Sequence, residues 1–250
     1  MTQNGMLSDK IALVTGASRG IGAAAARLFA REGATVVLAA RTEGALKEVA
    51  ADIPGASYVV ADLGDMASIE HAVSTVVERH GRLDVAFNNA GVGVPPHAVA
   101  DFPEDDFDLV LRVNLKGLFY AVSAEVKAMI AGGGGSIVNT SSVGSLIGNP
   151  ALPAYGAAKR GVNSLTESAA VTYGPNNIRV NAIAPGLTIT EMVEDWNRHD
   201  PGIIDRIVAG TPLGRAAQPE EIAESAAWLL SDRASYVTGV VLPVTGGTSV

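Results

Sequence analysis

The chain contains no cysteine in 250 residues, which excludes disulfide bonds, thiolate catalysis and cysteine-ligated zinc. Its four histidines, at positions 71, 80, 97 and 199, show no paired metal-ligand spacing, so the sequence predicts no metal site. No uninterrupted apolar stretch approaches the roughly 18 residues that a membrane span needs. The N-terminal stretch MTQNGMLSDK lacks the basic start and apolar run of a signal peptide. We therefore expect a cytoplasmic protein that makes no contact with a membrane.

Positive charge is also scarce. The 18 Lys and Arg stand against 26 Asp and Glu, and the resulting net charge of -8 argues against a nucleic-acid partner. Hydrophobic residues make up 48% of the chain and charged residues 18%, which is enough apolar material for a large core. Because α/β chains of this length usually form one domain, we predict a single domain over residues 1–250.

Short apolar, β-branched runs alternate with longer helical patterns along the chain. This alternation predicts parallel βαβ crossovers and a sheet covered on both faces. The expected fold class is α/β, with one doubly wound, Rossmann-type domain around a seven-stranded parallel sheet. We predict strands at 10–16, 34–40, 57–62, 83–91, 135–142, 178–186 and 239–247, and helices at 20–33, 42–53, 66–81, 104–133, 151–174 and 219–231.

A glycine-rich stretch, TGASRGIG, follows the first predicted strand and opens the first helix. Gly16, Gly20 and Gly22 would let the backbone turn tightly and approach a pyrophosphate, whose charge is favoured at a helix N-terminus. The spacing is not G-x-G-x-x-G, because three residues separate the first two glycines and one separates the last two. Tight strand-to-helix turns need glycine in any case, so the cluster alone leaves both interpretations open.

The stretch YGAAK places Tyr155 and Lys159 four residues apart among small residues. This spacing puts both side chains on one face of a helix, about one turn apart. Taken alone, the pair is also typical of an ordinary helix surface, where an aromatic ring covers an aliphatic stem.

Together these stretches resemble the short-chain dehydrogenase/reductase family over essentially the whole chain. TGASRGIG is similar to the family's TGxxxGxG turn, and YGAAK is similar to its YxxxK motif. NNAG at 88–91 and PG at 185–186 match the family's motifs after the fourth and sixth strands. One departure is Thr245, which stands where many relatives carry Asp, and it puts a detail of subunit contact in doubt.

The resemblance implies hydride transfer between a nicotinamide and a carbonyl or carbinol carbon. It implies that Tyr155 is the general acid or base, that Lys159 also hydrogen-bonds the nicotinamide ribose, and that Ser142 polarises the substrate oxygen. The neighbouring Thr140 and Ser141 could not be separated from Ser142 without the family's spacing. Asn114 would hold a water that links the lysine to solvent, which would explain an Asn inside a helix. The implied catalytic set is Asn114, Ser142, Tyr155 and Lys159.

A phenol with a pKa of about 10 is a poor base at neutral pH. Lowering that pKa by roughly 3 units requires about 4 kcal/mol of preferential stabilisation of the phenolate. A fixed ammonium group one helical turn away, together with the positive ring of the oxidised cofactor, can supply this. We therefore expect Lys159 to depress the pKa of Tyr155.

The end of the second strand predicts which nicotinamide cofactor is preferred. Ala40 stands where NAD-selective relatives carry an acidic residue, and Arg41 follows it. With a guanidinium placed to bind a 2′-phosphate, NADP(H) is favoured, although Arg41 stacking on adenine would leave NAD(H) possible. Arg19 could add a second positive charge. The resemblance implies cofactor contacts at Gly16, Ser18, Arg19, Gly20, Ile21, Gly22, Arg41, Asp62, Leu63, Asn89, Ala90, Gly91, Tyr155, Lys159, Pro185, Gly186, Thr188 and Thr190.

By the same resemblance, residues 92–97, 143–154 and 186–198 line the substrate pocket, and a segment at about 187–212 acts as a mobile lid. The first two stretches contain no Lys, Arg, Asp or Glu, and the third offers only Arg198 as a cation. We therefore predict a neutral, largely apolar ketone or secondary alcohol as substrate, and a homotetramer. Two alternatives stay open, namely a cofactor-binding regulator without catalysis and a lyase or epimerase on the same fold.

Overall fold

The computed structural model describes residues 5–249 and contains a seven-stranded, all-parallel sheet. The strands are ordered β3-β2-β1-β4-β5-β6-β7, so the direction of winding reverses between β1 and β4. The predicted fold class is confirmed. The strands are β1 (Ile11–Thr15), β2 (Thr35–Ala40), β3 (Ser57–Val60), β4 (Val85–Asn88), β5 (Gly135–Thr140), β6 (Ile178–Pro185) and β7 (Val241–Val244).

Helices cover both faces of the sheet, as the apolar runs of its strands require. On one face, α1 and α9 pack over Phe87 and Val138, and on the other α3, α5 and α6 pack over Leu13 and Ile137. The helices are α1 (Gly20–Arg31), α2 (Glu43–Ala51), α3 (Met66–His80), α4 (Glu104–Leu111), α5 (Leu118–Gly132), α6 (Pro153–Tyr173), α7 (Glu191–His199), α8 (Ile203–Ala209) and α9 (Pro219–Leu230).

The long helix predicted at 104–133 differs from the structure in its middle. Between α4 and α5 lies a π-helical turn, Arg112–Gly117, which contains Asn114. Two contacts hold the chain in this widened turn. The Asn114 side chain bonds the backbone of Val92, and the backbone of Leu63 lies so close that a Cβ at Gly117 would be 2.1 Å from its carbonyl oxygen. Insertions of this kind are common at functional sites.

The carboxyl ends of β1 and β4 flank the point where the strand order reverses, which is where open α/β sheets form a ligand crevice. The glycine turn follows β1, and Asn89, Ala90 and Gly91 follow β4. The end of β5 leads to Ser142, and the end of β6 leads to the 187–212 segment, which contains α7 and α8. Among the helices within residues 5–249, none is both long and apolar enough to cross a membrane.

Candidate active site

The glycine turn between β1 and α1 is shaped by backbone that other side chains could not adopt. Gly16 and Gly20 have φ angles of 67° and 52°, in the left-handed region that favours glycine. At Gly22 the φ angle is ordinary, but an added Cβ would lie 2.2 Å from the carbonyl oxygen of Gly16. These glycines are therefore required by the fold of the turn itself.

The first turn of α1 faces the crevice with its backbone N–H groups. Arg19 is the N-cap residue, and its side chain makes no capping hydrogen bond. The first turn carries no acidic residue. The first four N–H groups of a helix have no partner within the helix, so this end fits the pyrophosphate of a dinucleotide. A cavity of about 480 Å³ touches this end through Ser18, Arg19, Gly20 and Thr190 and runs along α1, where Arg27, Asp52 and Glu220 also line it.

The loop after β4 is fastened to the glycine turn. The Thr15 hydroxyl accepts hydrogen bonds from the backbone N–H groups of Asn89 and Ala90, at 3.1 and 3.2 Å. The side-chain amide of Asn89 donates in return to the carbonyl oxygens of Thr15 and Gly16. The two loops of the crevice are thus held together, which explains why Asn89 follows this strand.

The two arginines predicted at the cofactor site are both exposed on the crevice side of the sheet. Neither Arg19 nor Arg41 forms an ion pair or side-chain hydrogen bond with any residue in 5–249. Asp62 caps its own turn, because its Oδ1 accepts from Gly64 N at 2.8 Å, and Leu63 is buried against Val113. Both guanidinium groups are therefore free to act at this end of the crevice.

Two adjacent serines at the end of β5 have different surroundings. Ser141 is 1% exposed, and its Oγ lies within hydrogen-bond distance of Ser145 Oγ, Asn163 Oδ1 and the carbonyl oxygen of Lys159. Ser142 is partly exposed, caps a short turn through Gly144 N, and hydrogen-bonds the phenol of Tyr155. The geometry separates the two serines, which the sequence alone could not do.

Tyr155 and Lys159 lie on α6, the helix that follows these serines in the chain. Lys159 is 3% exposed, its Nζ donates to the carbonyl oxygen of Thr140 at 2.7 Å, and it lies 5.5 Å from the centre of the Tyr155 ring. Burial lowers the pKa of Lys159 to about 8. The ammonium group is held by one backbone carbonyl and has no carboxylate partner among the described residues.

In the protein alone the pKa of Tyr155 is not depressed, and the depression expected with the oxidised cofactor bound stays a prediction. Burial raises the pKa of the phenol above its ordinary value of 10, and the hydrogen bond from Ser142 opposes this only in part. Lys159 Nζ is directed at Thr140 and donates no hydrogen bond to the phenol. At neutral pH the phenol is therefore protonated, which suits a group that gives up a proton rather than one that takes it.

Asn114 lies 1% exposed in the π turn, where both ends of its amide are used. Its Oδ1 accepts from Val92 N and its Nδ2 donates to Val92 O, each at 2.9 Å. A Cβ at Gly91 would lie 2.7 Å from Asn114 Oδ1 and 3.8 Å from Lys159 Nζ, so all three residues share one corner of the site. These two bonds use one N–H and one lone pair of the amide, so one N–H and one lone pair remain.

The 187–212 segment closes the other side of the crevice. Thr188 is buried and its hydroxyl donates to Gly186 O at 3.1 Å, whereas the side chain of Thr190 faces Gly20. On α7, Met192 and Trp196 lie over Gly93, since a Cβ there would be 3.6 Å from Met192 Sδ and 3.8 Å from Trp196 Cζ2. The contact gives the site an apolar wall.

One polar group of the region was missed by the sequence analysis. Beneath the site, Glu125 of α5 is fully buried and accepts a hydrogen bond from Asn88, which also contacts Asn139. The residues around Glu125 on α5 are small or apolar, so its pattern indicated an ordinary buried face. The only signal in the sequence was a glutamate on the apolar face of α5, at helical spacing from Ala121, Val122 and Met129.

Comparison with known proteins agrees with this geometry. Residues 16–249 match the family described as enoyl-(acyl carrier protein) reductase. The chain is 48% identical to the A-factor type gamma-butyrolactone 1′-reductase (1S-forming) of Streptomyces virginiae, over 99% of this chain and 98% of that protein. It is 41% identical to the 3-oxoacyl-(acyl-carrier-protein) reductase of Thermotoga maritima, over 96% and 98%. The crystal structure of levodione reductase superposes with a TM-score of 0.93, at 38% identity over 97% and 98% of the two chains.

The fold and these matches define the class of protein. The chain belongs to the short-chain dehydrogenase/reductase family and is an oxidoreductase whose relatives use NAD(P)(H).

Proposed function

We propose that this protein is an NADP(H)-dependent carbonyl reductase, or alcohol dehydrogenase in the reverse direction, with Tyr155 as its general acid and base. The observation that carries the proposal is the arrangement at the crevice. The Ser142 hydroxyl acts on the Tyr155 phenol and lowers its pKa, and the Lys159 ammonium lies 5.5 Å from the Tyr155 ring. The uncapped N-terminus of α1 lies across the same crevice.

The mechanism follows from the state of each group. The bound nicotinamide supplies or accepts the hydride. In reduction, Ser142 donates a hydrogen bond to the substrate oxygen, and Tyr155 gives its proton to that oxygen as the alcohol forms. The pKa of Tyr155 is raised by burial, so the proton is present at neutral pH. Lys159 carries the nearest positive charge and stabilises the phenolate that remains.

Reprotonation of Tyr155 needs a path to solvent, which we assign to Lys159 and Asn114. The Asn114 amide bonds both backbone groups of Val92, so a relay water would be held by its remaining N–H or by the Asn114 backbone carbonyl. A π turn is suited to this role, because it disturbs the regular pairing of helix carbonyls.

The cofactor preference rests on Arg41, which is exposed and unpaired among residues 5–249 at the end of β2. Arg41→Ala should weaken NADPH by about 1.5–3 kcal/mol, the usual cost of a lost charge-assisted hydrogen bond, and NADH far less. Arg31→Ala, at the exposed C-terminal end of α1, is the control and should change neither affinity. Fluorescence titration with both cofactors measures this, and equal weakening of both would mean that Arg41 stacks on adenine.

The substrate we propose is a neutral, largely apolar ketone or secondary alcohol, with the 187–212 segment as a lid. Arg198, the only cation of residues 186–198, is ion-paired with Asp195, so its charge is already matched. Met192 and Trp196 supply an apolar wall over Gly93. The names of three relatives, reductases of a gamma-butyrolactone, of levodione and of a 3-oxoacyl chain, describe carbonyl reduction. A tenfold or greater preference for a keto acid over its matched neutral ester would contradict this proposal.

The decisive assay is oxidation of NADPH with a panel of neutral carbonyl compounds. A non-catalytic regulator would bind NADPH and oxidise none of it. A lyase or epimerase would convert substrate without net consumption of NADPH. The intact set of Asn114, Ser142, Tyr155 and Lys159 favours the reductase.

We further propose a homotetramer built through the long helices. Phe119 and Ile130 of α5 and Val171 of α6 are exposed apolar side chains on those helices, at 51, 44 and 82%. Light scattering should give four chains, and a stable monomer would overturn this. The cytoplasmic location stays a prediction.

A further inference from the structure

Two ionisable side chains within residues 5–249 are almost completely buried, and the proposed mechanism uses only one of them. Lys159 belongs to the crevice. Glu125, on α5, is 0% exposed, and its Oε2 accepts a hydrogen bond of 2.8 Å from Asn88 Nδ2. A carboxyl group enclosed in this way is costly unless it is neutral or paired. No charged partner of Glu125 lies among the described residues, so its presence needs an explanation.

Glu125 begins a chain of hydrogen bonds that crosses four elements. Asn88 at the end of β4 donates to Glu125 and, at 3.1 Å, to Asn139 Oδ1 on β5. Asn139 donates to the hydroxyl of Thr166 on α6 at 3.0 Å, and that hydroxyl donates to the carbonyl oxygen of Val162 at 2.8 Å. The chain ties α5 to the two strands and to the helix that carries the catalytic pair.

Each strand residue in this chain precedes a residue of the site. Asn88 is followed by Asn89, which fastens the loop after β4 to the glycine turn. Asn139 is followed by Thr140, whose carbonyl oxygen accepts from Lys159 Nζ. The positions of Asn88 and Asn139 therefore set the positions of both loops.

This series of hydrogen bonds lacks one donor if Glu125 is ionised. Glu125 Oε1 and Asn88 Oδ1 are both buried without a partner. Both are acceptors if Glu125 is ionised, and two acceptors cannot satisfy each other. One proton on Oε1 turns that oxygen into a donor, whereas an ionised carboxylate offers none.

We propose that Glu125 is a neutral carboxylic acid in the native enzyme and a positioning residue, which holds the ends of β4 and β5 in the arrangement that the cofactor loop and Lys159 need. Its effect on catalysis rests on the proposed function, whereas its protonation does not. Glu125 touches neither substrate nor cofactor and acts through Asn88 and Asn139.

The electrostatics agree with the geometry. Burial raises the pKa of Glu125 to about 7, and the hydrogen bond from Asn88 opposes the rise. Among the described residues, α3 turns Ala72, Val73 and Val76 towards this core, and neither β4 nor β5 offers a charged group. The buried cation of α6, Lys159, is directed at Thr140.

The sign of the pH dependence follows from these values. Between the ordinary pKa of 4.5 and about 7, the native state holds a proton on Glu125 that the unfolded chain has lost. Stability from this group is therefore present at low pH and falls as the pH rises through that window.

The first experiment compares thermal unfolding of wild type and Glu125→Gln from pH 5 to 8. Glutamine supplies one acceptor and a permanent donor, so the Tm of this variant relative to wild type should rise between pH 5 and 7 and then level off. Glu224→Gln, which removes an exposed carboxylate from α9, should give a constant difference. The infrared C=O band of a protonated carboxylic acid should be lost in Glu125→Gln. A Tm difference that stays flat with pH, with no band lost, would overturn the neutral form.

The second experiment tests positioning at pH 7, in wild type, Glu125→Gln and Glu125→Leu. Leucine leaves an N–H of Asn88 unpaired, and kcat should fall about tenfold or more, as expected for a small displacement of reacting groups. In wild type, kcat should decline as the pH rises through 7, because Glu125 loses the proton that holds Asn88 in place. Glutamine should restore kcat and remove this decline. If Glu125→Leu fails to fold, the loss of that decline in Glu125→Gln decides the question. A wild-type profile retained in Glu125→Gln would refute positioning, whereas inactivity of wild type itself would refute the proposed function instead.

Discussion

Two polar clusters lie at the carboxyl ends of β4 and β5, and they differ in access to the crevice. The crevice cluster consists of Ser142, Tyr155 and Lys159, two of which are partly exposed. The sealed cluster consists of Asn88, Glu125, Asn139 and Thr166, each at most 2% exposed. The side chains of the sealed cluster hydrogen-bond one another, whereas Ser142 and Tyr155 face the crevice. The role of a polar residue here follows from its access rather than from its type.

The two neighbouring serines show the same contrast at the scale of one peptide bond. Ser141 turns into the interior and contacts Ser145 and Asn163, and Ser142 turns towards Tyr155. Successive side chains of an extended segment point to opposite sides, so adjacent residues reach different environments. Variants of the crevice cluster should therefore lose activity, and variants of the sealed cluster should lose stability first.

The largest effect on activity is expected at Tyr155. Tyr155→Phe removes one hydroxyl and should lower kcat by about 10²–10⁴-fold, the range typical of general acid-base groups. Unfolding and NADPH binding should stay close to wild type, because the ring remains in place. Tyr173→Phe, at the other end of α6, is the matched control and should keep full activity. Steady-state rates with a neutral ketone measure the effect, and retention of more than about a tenth of kcat would contradict the assignment.

The sequence predicted the strands, the glycine turn and the tyrosine–lysine pair well, because each depends on local patterns. Gly16 and Gly20 adopt the backbone that their motif demands, and four-residue spacing does bring Tyr155 and Lys159 together. The residue roles themselves stay predictions until they are measured.

Other features depend on contacts between distant segments and could not be read from one stretch. The π turn at Asn114 depends on Val92, which is 22 residues away. The direction of Lys159 Nζ, towards Thr140 rather than the Tyr155 hydroxyl, was likewise not visible in the spacing of the pair. Glu125 was missed because its partner Asn88 lies on another element, 37 residues away.

The second prediction compares alanine substitutions of the two serines. Ser142→Ala should lower kcat by about 10²–10³-fold, as for the loss of one donor to a developing charge, with little change in stability. Ser141→Ala should do the reverse and destabilise the fold by about 1–3 kcal/mol, because its buried partners lose a hydrogen bond. Urea unfolding and steady-state rates, measured on both variants, separate the two outcomes. Equal losses of activity in both would show that access does not divide their roles.

The third prediction concerns the pH dependence of stability, to which Lys159 and Glu125 contribute with opposite signs. Burial lowers the pKa of Lys159 from 10.5 to about 8, so between these values the unfolded chain holds a proton that the native state has lost. Stability from this group therefore rises with pH across that window, by about 3 kcal/mol at 1.4 kcal/mol per unit. Activity should fall over the same range as the ammonium charge disappears.

Lys159→Met provides the test of that assignment. The variant should lack the alkaline gain in unfolding free energy that wild type shows between pH 8 and 10. A gain of equal size in both proteins would assign it to another group. The opposite slope between pH 5 and 7, which we attribute to Glu125, should persist in Lys159→Met.

The smallest effect on turnover is expected at the end of the sealed cluster. Thr166→Val keeps the shape of the side chain but leaves an N–H of Asn139 unpaired, which should cost about 1–3 kcal/mol of stability. The hydrogen bonds from Asn88 to Asn139 and to Glu125 remain, so kcat should stay near wild type. Thr172→Val removes the same kind of bond to the carbonyl four residues earlier, but at an exposed position, and should change stability by less than about 0.5 kcal/mol. If urea unfolding shows equal losses for the two threonines, burial does not set the cost and the contrast between the clusters fails.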